Sequence, residues 1–238
     1  MRSTGLLVDR PAAGAVRLRL HRPDTRNALD RGLAQALFDA FGAPDAGVVI
    51  LAGGPDAFCS GLDLNLDPPE RAAVSDLLYR VYERMLACPV PIVSSIAGHA
   101  VGGGAQLVIA SDLRVAGPSA RIRFVGPGHG LAVGAWGLAS LVGRGRAMDL
   151  CLTTRSVPAD EALSIGLVDR VESEPDVSAI EMATGISTLD GSAVARVKRL
   201  VGDAGLLEAL RRERQENLAA WSGRIPDAGP PSATRDDA

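Results

Sequence analysis

Two short apolar runs, each followed at once by glycines, constrain the fold of this chain more than any other feature. The first run is Gly47–Ala52, which ends at Gly53-Gly54-Pro55, and the second is Pro91–Ile96, which leads into the turn Gly98–Gly104. Short apolar segments bounded by turn residues are typical of strands that are buried on both faces. The two runs therefore predict central strands of a sheet that is covered by other elements.

Helical patterns separate these strands. Asp30 is placed to cap a helix that continues to about Phe41, and an amphipathic pattern predicts a second helix over Glu70–Ala87. A third helix is predicted from Gly102 to about Ala110. Strands that alternate with helices indicate an α/β fold with a largely parallel sheet.

The flanking segments complete this pattern. Apolar and charged residues alternate over Val16–Leu20, which predicts a strand with one solvent-facing side, and Leu113–Ala116 predicts another short strand. Beyond Gly134 the pattern is mostly helical, apart from a short predicted strand at Leu167–Val171.

Composition excludes several classes of protein. Hydrophobic residues make up 47% of the 238 residues and charged residues 22%, which is enough apolar surface to bury a substantial core. The net charge of −3 argues against a nucleic-acid partner. Three cysteines without metal-ligand spacing support neither a disulfide framework nor a metal site. The first residues contain no apolar leader, so we expect a cytoplasmic location.

Two uncharged stretches, Leu86–Ser111 and Phe124–Gly143, are long enough to suggest membrane spans. Both are interrupted by proline, by glycine clusters and by a histidine. A buried strand, a glycine-rich turn and a buried helix explain them better, so no membrane span is predicted.

The residues that carry chemistry follow the two buried strands. The first segment is Ala57–Leu64 and the second is Ile96–Leu107, which contains the glycine triplet Gly102–Gly104. A dinucleotide site would require G-x-G-x-x-G, and the triplet lacks the third glycine of that pattern. We therefore reject a dinucleotide-binding interpretation.

With these segments the chain resembles the enoyl-CoA hydratase/isomerase (crotonase) superfamily from about residue 16 to residue 171. The matching pieces keep the order of the family and nearly its spacing: Arg22-Pro23 with Arg26–Leu29, Ala57–Leu64, Pro91–Asp112, Gly143–Ala147, and Ala159–Ala162 leading to Gly166–Val168. The resemblance implies a crotonase-like α/β fold of repeated ββα units, with largely parallel sheets flanked by helices and a C-terminal helical region. It also implies that the protein acts on an acyl-CoA thioester and stabilises its enolate.

On this basis residues 1–171 are expected to form the crotonase-like core with the CoA-thioester site. Residues 172–223 would form a C-terminal helical oligomerisation region, and the Pro-, Gly- and Asp-rich residues 224–238 are expected to be disordered. The family implies a homotrimer or hexamer. The apolar residues near the C-terminus could form that interface or fold back onto their own subunit: Leu206, Leu207, Leu210, Leu218 and Trp221.

The resemblance assigns an oxyanion hole to the backbone N–H groups of Leu62 and Gly103. Two preorganised amides can meet the charge that develops on a thioester oxygen, and a helix N-terminus at Gly103 favours the same anion. It further assigns the CoA contacts to Arg22 and Arg26 and to the backbone at Ala28, Asp63 and Leu64. The two arginines could equally be solvated loop residues. CoA would enter as part of the substrate, with no tightly bound cofactor and no metal.

The chain departs from the hydratases of the family at both of their catalytic glutamates. Gln106 stands at the first position and Gly126 at the second, and neither can act as a general acid or base. Standard hydration is therefore expected to be weak or absent. His129 is a candidate substitute, and its alternative is a solvated loop residue. Nearby carboxylates are expected to cap helices or face solvent: Asp63, Asp67, Glu70 and Glu83.

The sequence does not support nucleophilic catalysis by a side chain. Gly134 occupies the place of an aspartate that dehalogenases of the family use. Cys59 and Ser60 have no paired base, so a covalent mechanism is not supported, and Cys59 is expected to pack as a small apolar group.

Two functions remain open from the sequence. The first is an enzyme of the family that processes an acyl-CoA thioester through an enolate, by isomerisation, decarboxylation, C–C hydrolysis or slow hydration. The second is a non-catalytic acyl-CoA-binding protein on the same fold.

Overall fold

Ten strands form two sheets in the computed structural model, which describes residues 4–202 and 205–222. In chain order the strands are Leu6–Ala12 (β1), Ala15–Leu20 (β2), Val48–Ala52 (β3), Ala57–Cys59 (β4), Ile92–Ile96 (β5), His99–Val101 (β6), Leu113–Ala116 (β7), Arg121–Arg123 (β8), Val157–Pro158 (β9) and Arg170–Val171 (β10). The larger sheet has the order β1-β2-β3-β5-β7-β10 and the smaller has the order β4-β6-β8-β9.

The larger sheet confirms the predicted parallel core. All of its pairs from β2 to β10 are parallel, and only β1 pairs antiparallel with β2. Every residue of β3 and β5 is buried, as the apolar runs predicted.

Eight helices are present in the described residues. They are Arg31–Ala40 (α1), Pro68–Ala87 (α2), Gly103–Ala110 (α3), Ala135–Thr153 (α4), Ala159–Ser164 (α5), Pro175–Ser187 (α6), Gly191–Gly202 (α7) and Leu206–Ser222 (α8). Asp30 caps α1, and its carboxylate accepts from Leu33 N at 2.8 Å. The second helix begins two residues before the predicted Glu70, because Asp67 supplies its N-cap.

The smaller sheet explains the repeated ββα pattern of the fold. In β3-β4-α2, β5-β6-α3 and β7-β8-α4, the first strand joins the larger sheet and the second joins the smaller one. The turn predicted over Gly98–Gly104 therefore contains a strand, His99–Val101. Three residues are too few to show a periodic pattern, and this is why the sequence did not predict it.

The predicted solvent-facing side of Val16–Leu20 is wrong. Arg17 and Arg19 are only partly exposed, because α6 covers this face and places Asp176 against both guanidinium groups. The small side chains of Ala179 and Ala183 let α6 pack closely on the sheet. The sheet is thus covered on both faces, with the larger part of the core on the side of α1 to α4.

The C-terminal helices take two different positions. Leu210 of α8 is buried against the subunit's own core, whereas Leu218 is exposed. The α7 residues Val197, Leu200 and Val201 are also exposed. The part of the apolar stripe around Leu210 thus folds back, and the predicted disordered tail at 224–238 lies outside the described residues. Among the described residues, no helix combines the length and the apolar character that crossing a membrane requires.

Candidate functional site

The two glycine-containing segments meet at one point between the sheets. Gly61 has a φ of +93°, and a Cβ placed on it would lie 2.7 Å from the carbonyl oxygen of Val101 and 3.4 Å from the nitrogen of Gly103. Glycine is required here by both the backbone conformation and the close approach. The segments that the resemblance assigns to the oxyanion hole are therefore adjacent.

The Leu62 N–H points away from α1. The Gly61 carbonyl accepts from Leu29 N at 2.7 Å, and no peptide bond of the described residues is cis. In a trans peptide the C=O and the following N–H point in opposite directions. The Leu62 N–H is therefore directed to the side opposite Leu29.

The same argument fixes the direction of the Gly103 N–H. The Gly102 carbonyl accepts from Gln106 N at 3.0 Å and so points along α3. The Gly103 N–H consequently points out of the N-terminus of this helix, where the helix dipole favours negative charge. The carbonyl oxygen of Gly103 is fixed as well, since it accepts from the Tyr82 hydroxyl at 3.0 Å.

The side chain of Gln106 forms a hydrogen bond within the protein. Its side chain is buried one helical turn after Gly103, and its Oε1 accepts from the indole Nε1–H of Trp136 at 2.9 Å. The indole stacks on the Tyr82 ring with a centroid separation of 6.5 Å. The side-chain oxygen of Gln106, which the resemblance matches to the first hydratase glutamate, thus already has a partner.

This contact belongs to a larger set of hydrogen bonds, which we call the buried polar cluster. Its members are Tyr79, Gln106, Trp136, Glu213 and Asn217. The Glu213 carboxylate accepts from the Tyr79 hydroxyl at 2.7 Å and from the backbone of Trp136 at 2.8 Å. Asn217 Nδ2 donates to the same hydroxyl at 2.7 Å, and Gln106 also contacts it. Burial raises the pKa of Tyr79, and the Glu213 carboxylate raises it further.

Sequence reasoning did not find Glu213 or Asn217, although a signal for them exists. Leu206, Leu210, Glu213 and Asn217 recur at helical spacing along one face of α8. Polar residues on an otherwise buried stripe indicate partners elsewhere in the chain. Those partners lie 77 to 138 residues away in sequence, so the spacing alone could not identify them.

Gly126, which the resemblance matches to the second hydratase glutamate, has no room for a side chain. A Cβ on Gly126 would lie 2.5 Å from the Leu131 carbonyl oxygen and 2.8 Å from Val133 N. A Cβ on Gly134, where dehalogenases carry an aspartate, would lie 2.6 Å from the Phe124 ring. His129 ends the short 3-10 turn Pro127–His129 and is partly exposed. Its catalytic role stays a prediction.

Arg22 is tied to its own loop. Its guanidinium group donates to the Ala28 carbonyl oxygen and forms ion pairs with Asp30 at 3.1 Å and Asp63 at 3.4 Å. The Asp63 carboxylate also accepts from the backbone and side chain of Asn65 at 3.1 Å. These contacts give Arg22 and Asp63 a structural role in shaping the loop.

The remaining residues assigned to CoA lie at the surface or within this loop. Arg26 and Leu64 are exposed, whereas Ala28 is buried with its carbonyl bonded to Arg22. Arg26 has a φ of +51° and its exposed guanidinium remains the candidate for a phosphate contact. The CoA assignment therefore stays a prediction.

The other polar residues near the site have structural roles or lie at the surface. Cys59 is fully buried, and burial raises the pKa of its thiol to about 12, which leaves it protonated at neutral pH. Asp67 caps α2, and Glu70 and Glu83 form ion pairs with Arg31 and Arg211.

His99 lies at the exposed start of β6, with its Nδ1 3.4 Å from the Asp56 carbonyl oxygen.

Known proteins are similar to this chain in sequence and in fold. The sequence profile described as enoyl-CoA hydratase/isomerase matches residues 10–218. A probable enoyl-CoA hydratase, echA6, of Mycobacterium tuberculosis is 36% identical over 203 residues, which cover 83% of this chain and 82% of that protein. Its sequence is thus similar over most of both lengths.

Solved structures show the same fold. An enoyl-CoA hydratase/isomerase from Xanthobacter autotrophicus has a TM-score of 0.86 at 27% identity and covers 94% of this chain and 90% of its own. An enoyl-CoA hydratase from Bacillus anthracis has a TM-score of 0.80 at 29% identity, with coverage of 92% and 90%. The crotonase-like fold, the two adjacent glycine segments and the match over residues 10–218 together show that the chain belongs to the enoyl-CoA hydratase/isomerase family.

Proposed function

We propose that this protein binds an acyl-CoA thioester with its carbonyl oxygen between the N–H groups of Leu62 and Gly103. Both groups belong to adjacent segments, and both point away from the hydrogen bonds that hold those segments. Two such donors, one of them at a helix N-terminus, suit an oxygen that gains negative charge. The thioester enolate is the species that this arrangement stabilises best.

We also propose that hydration of 2-enoyl-CoA is weak or absent. The observation that carries this proposal is the 2.9 Å hydrogen bond from Trp136 Nε1 to Gln106 Oε1. In the hydratases of the family a glutamate at this position acts on the water that is added. Here an amide stands in its place and an indole fills the space beside its oxygen, while Gly126 leaves no room for the second acid.

The polarised carbonyl still has a chemical consequence. Hydrogen bonds to the thioester oxygen acidify the α-carbon, because the charge left by proton loss is delocalised onto that oxygen. Any base that reaches the α-carbon could then exchange or shift a proton. The family's isomerase chemistry is compatible with this, and His129 is the candidate base.

The second candidate function is a non-catalytic acyl-CoA-binding protein. The buried polar cluster favours this second function, because the Tyr79 hydroxyl and the Glu213 carboxylate both form their hydrogen bonds within the protein. Neither group is then available to move a proton on a substrate. The oxyanion hole would serve in this case only to hold the thioester carbonyl.

The assembly and the CoA contacts are part of the same proposal. We expect a homotrimer or hexamer from the family, with the exposed apolar residues of α7 as interface candidates. Arg26 and the backbone at Ala28 and Leu64 are the candidates for contacts with the nucleotide end of CoA.

The test is incubation with saturated and 2-enoyl-CoA esters in D₂O, with products identified by mass spectrometry. Deuterium at the α-carbon or a shifted double bond without added water would establish enolate chemistry. Tight binding without exchange would establish the binding protein. Failure to bind any thioester, or rapid addition of water, would overturn the proposal.

A matched pair of variants tests the oxyanion hole directly. Gly103→Pro removes the N–H at the first position of α3, where proline is tolerated, and Gly103→Ala adds a Cβ but keeps the N–H. The added Cβ would lie 3.1 Å from Leu29 Cδ1 in both variants, so this contact is matched, and the variants differ in that proline replaces the N–H with its ring Cδ. We expect any exchange rate to fall by about 10²–10³ in the proline variant relative to alanine. Equal rates would contradict the assignment.

A further inference from the structure

Glu213 reaches from the C-terminal helix to the start of α4. Its carboxylate accepts from Gly134 N at 3.0 Å and from Trp136 N at 2.8 Å, and the residue is only 6% exposed. These N–H groups belong to the first turn of a helix, which has no partners of its own for them. Gly134 is the N-cap residue and has no side chain with which to supply one. A residue almost eighty positions later therefore caps α4.

The capped turn carries the side chain that reaches toward the oxyanion hole. The Trp136 indole bonds to Gln106, which lies one turn after Gly103 on α3, and stacks on Tyr82, whose hydroxyl bonds to Gly103 O. A continuous set of contacts thus connects α8 to the oxyanion hole through Trp136. The first carbons of a bound acyl group would lie beside Gln106, at the position where hydratases carry their first glutamate.

We propose that Glu213 is a positioning residue that sets acyl-group selectivity by fixing Trp136 as a wall beside the first carbons of the acyl chain. This inference rests on the proposed thioester function. Glu213 touches no substrate atom itself, and it acts by holding the backbone at Gly134 and Trp136.

A carboxylate fits this role better than an amide. Its two oxygens accept from three donors, since Oε1 bonds to both the Tyr79 hydroxyl and Gly134 N, and Oε2 bonds to Trp136 N. In Glu213→Gln one oxygen becomes an NH₂ group that faces an N–H donor. One donor must then lose its partner, and the first turn of α4 must shift.

The experiment compares Glu213→Gln with Glu216→Gln in a Trp221→Phe background. Glu216 lies on the same helix but is exposed, so it controls for the change of charge on α8. The chain has two tryptophans, and the background therefore leaves Trp136 as the only tryptophan, whose emission is selected by excitation at the red edge of the absorption band. Dissociation constants are measured for CoA alone and for acetyl-, butyryl- and octanoyl-CoA, together with the emission spectrum.

We expect Glu213→Gln to shift the emission of Trp136 and to change the ratio of the octanoyl-CoA and acetyl-CoA dissociation constants by about three- to tenfold. Binding of CoA alone should stay within about twofold of the parent, and Glu216→Gln should change neither measure. An unchanged ratio in a folded Glu213→Gln protein would overturn the inference, as would equal weakening of CoA and of every thioester.

A second variant keeps the inference testable if Glu213→Gln does not fold. Trp136→Phe removes the indole N–H and part of the wall but leaves the Glu213 contacts with the backbone in place. The same change in the ratio is expected, and an unchanged ratio would overturn the inference. If the parent protein bound no thioester, the proposed function itself would fail, which is a different result from a selectivity that does not change.

Discussion

The indole Nε1–H of Trp136 and the Oε1 atom of Gln106 lie 2.9 Å apart, and both side chains are buried between α4 and α3. A buried amide that satisfies a buried indole stabilises the contact between these helices, because either group alone would lose its hydrogen bond to water. Gln106 is therefore part of the structure of this protein, at the position that the family resemblance matches to the first hydratase glutamate.

This relationship predicts that restoring the glutamate does not restore the reaction. In Gln106→Glu we expect hydration of 2-enoyl-CoA to rise by less than ~10-fold, against the ~10²–10⁴-fold that a working general acid or base contributes. The new carboxylate would still accept from Trp136, and Gly126 would still lack a second acid. Gln215→Glu on the exposed face of α8 is the control, and loss of the enoyl absorbance is the measurement. A hundredfold gain would show that the water site is open.

Gly104 allows two segments of the site to touch. A Cβ on Gly104 would lie 2.4 Å from the Cys59 carbonyl oxygen and 2.7 Å from its Cβ. We expect Gly104→Ala to lower the free energy of unfolding by about 1–3 kcal/mol through overpacking.

Gly185→Ala is the matched control for this substitution. Gly185 lies inside α6 with nothing within 4 Å of its added Cβ, so we expect this variant to gain about 0.5–1 kcal/mol. Urea unfolding measures both effects. If the two substitutions changed stability in the same direction, close approach at Gly104 would not explain its glycine.

Lys198, the single lysine of the chain, links α7 to the core through hydrogen bonds and an ion pair. Its ammonium group donates to Asp112 at 2.7 Å, to the Val90 carbonyl at 3.0 Å and to the Met85 carbonyl at 3.2 Å. Three converging acceptors match the three N–H donors of lysine, and the flat guanidinium group of arginine does not fit them. We therefore expect Lys198→Met to cost about 1–3 kcal/mol of unfolding free energy, and Lys198→Arg to recover only part of it.

The neighbouring Arg199→Met serves as the control for this prediction. Arg199 is exposed, so its loss should change stability by less than about 0.5 kcal/mol. Chemical unfolding of the three variants supplies the comparison. A Lys198→Met protein as stable as Arg199→Met would rule out a stabilising role for the Lys198 contacts.

Glu213 predicts a characteristic dependence of stability on pH. Burial raises the pKa of its carboxyl group, and this outweighs the hydrogen bonds from Tyr79, Trp136 N and Gly134 N, which lower it. The folded protein therefore holds this proton to a higher pH than the unfolded chain does. The stability that this provides is present below the unfolded glutamate pKa of about 4.3 and is lost as the pH rises through the folded value.

Glu213→Gln removes this proton-linked contribution. We expect the unfolding free energy of the variant, relative to the parent, to rise between about pH 4 and neutral pH. The exposed Glu216→Gln should show no such trend. The comparison uses unfolding curves at several pH values, and a relative stability that falls as the pH rises would mean that the pKa of Glu213 is lowered instead.

The sequence predicted those parts of the fold that have a strong local pattern. The runs at Gly47–Ala52 and Pro91–Ile96 became β3 and β5, and Asp30 capped α1 as expected. The family resemblance implied the ββα units, but the residue pattern did not predict the strands of the smaller sheet, because they have two or three residues each and their pairing depends on the larger sheet. The covering of Arg17 and Arg19 by Asp176 was missed for a similar reason, since their partner lies more than 150 residues away.

The candidate site likewise has a part that the sequence predicted and a part that it did not. The order of the motifs placed Leu62 and Gly103 in segments that the structure brings together. The match of Gln106 and Gly126 to the two hydratase glutamates stays a prediction. The contacts that Gln106 makes could not be read from the motifs. They depend on Glu213 and Asn217, whose partners are set by how α8 docks on α2 and α4.

The cap that Glu213 provides also bears on when this protein becomes complete during its synthesis. The last strand, β10, ends at Val171, so the ribosome has made both sheets before it reaches Glu213, whose carboxylate caps α4. At a translation rate of about 5–20 residues per second, the interval from Trp136 to Glu213 lasts several seconds, which is long compared with helix formation. Until α8 is made, the first turn of α4 lacks the Glu213 contacts that hold the backbone of Gly134 and Trp136. The proposed acyl-binding wall would therefore be the last part of the site to form, and a chain that ended before α8 would contain the Leu62 and Gly103 segments without it.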